Sequence, residues 1–219
     1  MTSTISELRI LKELPRMAVA AGATLRLLVV TASDLHCAGI DLDTGALVRA
    51  WSPAPPEVRI RPYDVVEVTC DGELEAVPDP AQPEAIGLAA PPAVVDRLRG
   101  RRCERLIRPL LHPQNQALLG VSAAAIPFWQ RSADHPSIAL VEPNGRIVMV
   151  RDGSYLACRF EWQDHERELP CLDLALAHHM DRHERTRLTA GKGDRLVVAL
   201  TAPIDGRCHK VVETLLRRG

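Results

Sequence analysis

Aromatic residues are scarce: two Phe, two Tyr and three Trp in 219 residues. Proteins that hold single strands usually depend on stacked rings, so a site built mainly on base stacking is disfavoured. No excess of one charge exists either, since 27 basic residues face 28 acidic ones for a net charge of -1. That excludes a protein whose whole surface coats nucleic acid and requires any basic site to be local. No apolar run approaches the ~18 residues of a membrane helix. Glu7, Arg9, Lys12, Glu13 and Arg16 interrupt the N-terminal segment, so no secretory leader is expected and the chain is read as cytoplasmic.

Cysteines stand at 37, 70, 103, 158, 171 and 208 without a single Cys-x-x-Cys pair. Isolated cysteines of this kind read as small buried hydrophobes with reduced thiols. Recognisable catalytic signatures are missing as well. Ala190-Gly191-Lys192-Gly193-Asp194 lacks the spacing and the hydroxyl of a phosphate-cradling loop, and neither a Gly-x-Ser-x-Gly elbow nor a Gly-x-Gly-x-x-Gly fingerprint occurs. The expectation is a protein that is not an enzyme, with no cofactor and no metal.

What is present is an ordinary globular balance, 46% hydrophobic and 25% charged. Charge falls in blocks. Residues 1–23, an N-terminal extension, carry net +1; 24–90 carry -7; 91–135 carry +4; 136–219 carry +1. A short amphipathic helix over 5–21 is interrupted by Pro15.

Leu25–Thr31 reads as a buried strand, and two apolar runs flank the Asp43-Thr44-Gly45 turn of a hairpin. Tyr63–Thr69 supplies a third strand before an acidic, Pro-punctuated stretch. Residues 93–111 read as a helix, with Arg97, Arg101, Arg105 and Arg108 in one stripe opposite Cys103, Leu106, Ile107 and Leu110. Gly100 is a potential break in it. Further strands follow at 138–141, 146–150, 155–162, 195–201 and 209–216, with period-two alternation at 172–176. Asn144-Gly145, Asp152-Gly153 and Asp205-Gly206 are read as hairpin turns. The fold class is mainly β: two small barrels at 24–90 and 136–219, joined by an Arg-rich helical and Pro-rich connector at 91–135.

The motif Cys37-Ala38-Gly39-Ile40-Asp41, followed by Thr44-Gly45, Arg49 and Asp64-Val65-Val66-Glu67-Val68, resembles the dual OB-containing domain proteins of bacteria. Arg159-Phe160 and His209-Lys210-Val211-Val212 are similar to that family's C-terminal elements. The resemblance covers roughly residues 25–216. It implies two OB folds and a nucleic-acid role, with no catalytic residues.

Guanidinium groups one helical turn apart can follow a phosphate backbone. Arg97, Arg101, Arg102, Arg105 and Arg108 are therefore the candidate nucleic-acid contacts, extended by Arg159 and Lys210 in the second barrel. The opposing reading pairs these arginines with the acidic stretch holding Asp71, Glu73, Glu75, Asp79 and Glu84. A second functional class is an adaptor whose acidic first barrel docks a partner protein. His178, His179 and His183 form a cluster with helical spacing, but Arg182 lies between the last two and the group reads as a solvated face. His36-Cys37 and Cys208-His209 would form a tetrahedral site only if the two pairs converged.

Overall fold

The structure, a computed structural model, describes residues 19–71, 82–131 and 135–218. The N-terminal helix reading and the acidic residues Glu73, Glu75 and Asp79 lie outside these. Five strands build the first half: β1 (Thr24–Ala32), β2 (His36–Asp41), β3 (Leu47–Trp51), β4 (Asp64–Thr69) and β5 (Ala85–Gly87). β1 pairs antiparallel with β2 and β4, β2 with β3, and β5 runs parallel to β3. A bridge between Cys70 and Leu88 joins the ends of β4 and β5. The strands thus circulate as β1-β2-β3-β5-β4-β1, a five-stranded OB-like barrel. The turn after β2 is held by Asp41, whose carboxylate accepts from the Thr44 hydroxyl at 2.5 Å.

The connector departs from the helix expected over 93–111. Residues Ala93–Arg97 form a strand, β6, antiparallel to β4, and only Arg101–Ile107 are α-helical (α1), followed by a 3-10 turn over Arg108–Leu110. Two β-branched valines after Pro91-Pro92 favour extended backbone. Gly100 takes a φ of 58° and separates strand from helix. Farther on, β7 (Ala125–Pro127) leads into a 3-10 turn at Phe128–Gln130.

Seven strands and a helix complete the chain: β8 (Ile138–Val141), β9 (Val148–Asp152), β10 (Tyr155–Trp162), β11 (His165–Pro170), α2 (Leu174–Arg182), β12 (Arg187–Thr189), β13 (Arg195–Leu200) and β14 (Arg207–Leu216). Asn144-Gly145 is not a hairpin turn. β8 lies antiparallel to β13, and β9 to β12, in one unbroken register: Val141 faces Leu196, and seven residues along each chain Val148 faces Thr189. Ala190 N–H donates to the Ile147 carbonyl inside the gap at 2.9 Å. Each pair of strands is one interrupted strand. β10 and β11 continue the meander, Cys171 bridges in parallel to Val212 of β14, and β13 pairs with β14. The second half therefore repeats the circular order of the first.

The alternating residues 172–176 do not form a strand. Asp173 caps α2 by accepting from Leu176 N–H at 2.9 Å, and its other oxygen accepts from Leu215 N–H of β14 at 3.1 Å. The Asp205-Gly206 turn between β13 and β14 does form, with both residues at positive φ.

Strand alternation creates three cores. Leu27 and Val29 of β1 point into the first barrel with Val48, Val66 and Ile86. Ala139, Val141, Leu196 and Val198 point into the second with Phe160, Trp162 and Met180. The opposite faces of the same strands meet each other: Leu28 and Val30 pack with Ile138, Leu140, Val197 and Ala199, beneath Cys103 and Ile107 of α1. Within this interface the Thr31 and Thr214 hydroxyls share a hydrogen bond of 2.7 Å.

Candidate nucleic-acid interface

α1 buries Cys103 and Ile107 in the inter-barrel core, which leaves Arg101, Arg102, Arg105 and Arg108 exposed on its other side. Its position is fixed by Glu104, whose two carboxylate oxygens accept from Arg195 at 2.6 and 2.9 Å. Arg195 also donates to Glu142 at 2.7 Å. The Arg195 hydrogen bond leads the effects that hold Glu104 below the usual carboxylate range, and the charges of Arg218 and Arg108 add to it. Among the described residues these four exposed arginines, three on α1 and Arg108 just after it, make no ion pair.

The remaining sequence candidates sit elsewhere. Arg97 lies on β6, with its Nε 3.7 Å from Asp64. Arg159 is paired to Glu168 at 2.5 Å across the β10–β11 ladder. Lys210 is 4% exposed and donates to the Val121 carbonyl, fastening the connector to β14. The structure thus brings Arg101, Arg102, Arg105 and Arg108 together and leaves Arg97, Arg159 and Lys210 outside that group.

Sequence reasoning missed a second group of arginines. Arg185, Arg187 and Arg217 line an open pocket with His179, beside the end of β12 and the residues 190–191 that follow it. The pocket's carboxylate, Asp194, accepts from the backbone N–H of Gly191 at 2.8 Å and of Arg218 at 2.9 Å. Desolvation, then His183 and the charges of Arg217, Arg185 and Arg182, hold His179 below its ordinary pKa. Arg218, next to Arg217, acts on Glu104 of α1, so the two arginine groups adjoin. Their spacing in sequence, from 101 to 218, gives no local pattern to read.

Cys37 lies inside the first barrel and Cys208 inside the second, so the two Cys-His pairs do not converge. Instead the His36 ring stacks on Trp51 with centroids 4.9 Å apart, and Ser33 Oγ meets its Nδ1 at 2.5 Å. All six cysteines are buried, and burial pushes the thiols of Cys37 and Cys171 up to about 12. His179 and His183 approach with ring centroids 4.6 Å apart, yet no group of metal-ligating side chains is found among the described residues. No described helix is long and apolar enough to cross a membrane.

No family model and no curated protein matches the chain. Among solved structures, the chain is similar to a tetrameric HIN2 domain over 89% of its own length and 96% of that chain, at 8% identity and a TM-score of 0.27. A likeness that slight carries no argument.

Proposed function

We propose that this chain is a non-catalytic nucleic-acid-binding module of two OB-like barrels, which holds phosphates along the arginine surface of α1 and the adjoining pocket. The observation that carries the reading is the set of four exposed guanidinium groups, three on α1 and Arg108 just after it, without ion-pair partners among the described residues. Arginine suits this role because its planar fork grips phosphate oxygens bidentately and never loses its charge. The α1 backbone is anchored through Glu104 and Arg195, so the guanidinium groups project from a fixed base. The strand order of both halves and the motif resemblance to dual OB-containing proteins agree with this reading.

Phosphate contacts without base readout imply weak sequence preference and steep salt dependence. The test is a salt titration of DNA and RNA binding with the full chain and an Arg101→Ala/Arg105→Ala double variant. Two lost contacts flatten the log–log salt slope by about 1.4 to 1.8. An unchanged slope removes α1 from the site. Absence of binding at about 50 mM salt, where phosphate contacts are strong, would favour the adaptor reading through the acidic first barrel.

A further inference from the structure

The seven aromatic residues are distributed unevenly. Phe160 and Trp162 fill the second barrel, Tyr63 donates to the Arg217 carbonyl at 2.5 Å, and Trp51 stacks on His36 and donates to Gln82 at 3.1 Å. Tyr155 is exposed at the start of β10 with no ring beside it among the described residues. Phe128 and Trp129, consecutive in sequence, are exposed as a pair, 41% and 68%. Their rings meet edge to face at 5.4 Å. A chain with so few rings places two of them side by side in solvent.

The pair is held by its backbone. β7 is paired with the start of β14, Phe128 N–H donates to the Gly206 carbonyl at 3.1 Å, and the 3-10 turn closes with Arg131 N–H on the Phe128 carbonyl at 3.1 Å. Gly206 lies under the Trp129 ring, where an added Cβ would come within 3.4 Å. Exposed Arg207 stands directly opposite Pro127 in the β7–β14 ladder, with no ion pair among the described residues, while Asp205 is the acid of the hairpin. Rings fixed before binding lose little conformational freedom when a ligand arrives.

We infer that Phe128 and Trp129 form a stacking platform for unpaired bases, with Arg207 beside it for a phosphate, so that the module prefers single-stranded nucleic acid. The inference rests on the proposed nucleic-acid role and adds the class of strand. Flat rings beside a guanidinium match a base next to its phosphate, and duplex bases hide the faces that such rings cover. The platform lies on the connector turn against the β13–β14 hairpin, at the opposite end of β14 from Arg217 and the α1 arginines.

The experiment uses the full chain with a 12-nucleotide oligothymidylate and a 12-base-pair duplex, read by anisotropy and by tryptophan fluorescence. The expected result is quenching by the single strand, an affinity loss of at least about fivefold for Trp129→Ala, and unchanged duplex binding. Trp129→Phe, which keeps a ring, should retain most of the single-strand affinity. If wild type binds the single strand while both Phe128→Ala and Trp129→Ala bind it equally well, the platform is overturned and the phosphate reading stands. If neither probe binds, both fall. A wild-type dimer in sedimentation that Trp129→Ala converts to monomer would assign the rings to a protein contact and overturn the inference.

Discussion

Arg49 of the first barrel and Glu213 of the second, 164 residues apart, meet at 2.9 Å in the interface between them. Their side chains are 2% and 11% exposed, and His36 Nε2 stands 3.8 Å from the same glutamate oxygen. Removing one partner strands the other as a buried charge. Glu213→Gln is expected to cost about 3–5 kcal/mol in urea denaturation, whereas Arg49→Met/Glu213→Leu should recover most of that loss. A single variant as stable as wild type would show that the pair contributes nothing.

Acid should weaken the same contact. Burial alone would raise the Glu213 pKa, but the nearby His36 ring and the Arg49 charge together hold it below its ordinary value of 4.5. A carboxylate with a depressed folded-state pKa contributes stability above its unfolded pKa and loses it as pH falls through the folded one. Thermal melts from pH 6 downward should therefore show a decline below about pH 4.5 that is shallower in the Arg49→Met/Glu213→Leu variant.

Lys210 points the other way. Burial, reinforced by the charge of Arg167, lowers its pKa from 10.5 to about 8. The unfolded chain then holds the extra proton between these values, so this group's contribution to stability rises with pH above about 8. Cys37 and Cys171, up from 9.0 to about 12 in the fold, oppose it at higher pH. Lys210→Met should remove the rise between pH 8 and 9, read as the urea midpoint at each pH.

Gly39 of β2 lies opposite Val29 of β1. A Cβ there would lie 2.8 Å from the Leu28 carbonyl oxygen and 2.9 Å from the Leu27 Cβ. Neither neighbour is a flexible chain end, so Gly39→Ala is expected to cost about 1–3 kcal/mol. Calorimetry of the variant provides the measurement, and an unchanged melting temperature would mean that the strands separate freely.

Binding offers a comparison between arginines in different settings. Arg185→Ala/Arg217→Ala should flatten the salt slope by about 1.4 to 1.8, as two phosphate contacts would. Arg159→Ala should leave it unchanged, because Glu168 already engages that guanidinium. The reverse outcome would move the site to the β10–β11 face.

Most strands of both barrels were legible because hairpin chemistry is local: Asp43-Thr44-Gly45 and Asp205-Gly206 specify their turns on their own, whereas the short β5 and β12 and the charged β11 carry no such pattern. Helical periodicity misled at Ala93–Arg97, where β4 offers an edge to pair with and Val94-Val95 take it. Asn144-Gly145 misled in the opposite sense, since only the distant β12 and β13 show that β8 and β9 run on together. On the site, the face of α1 could be read from spacing within one element. The pocket arginines could not, because the fold alone brings Arg185 and Arg217 to the same wall.

β1 carries apolar side chains on both faces, one row for its own barrel and one for its neighbour. Severed from its twin, either half would present that second row to water, a long sticky stripe suited to aggregation. Thermodynamically the molecule has no midpoint at which to come apart. Heat should melt it in one step, and a cavity carved inside one barrel should lower the melting temperature of both.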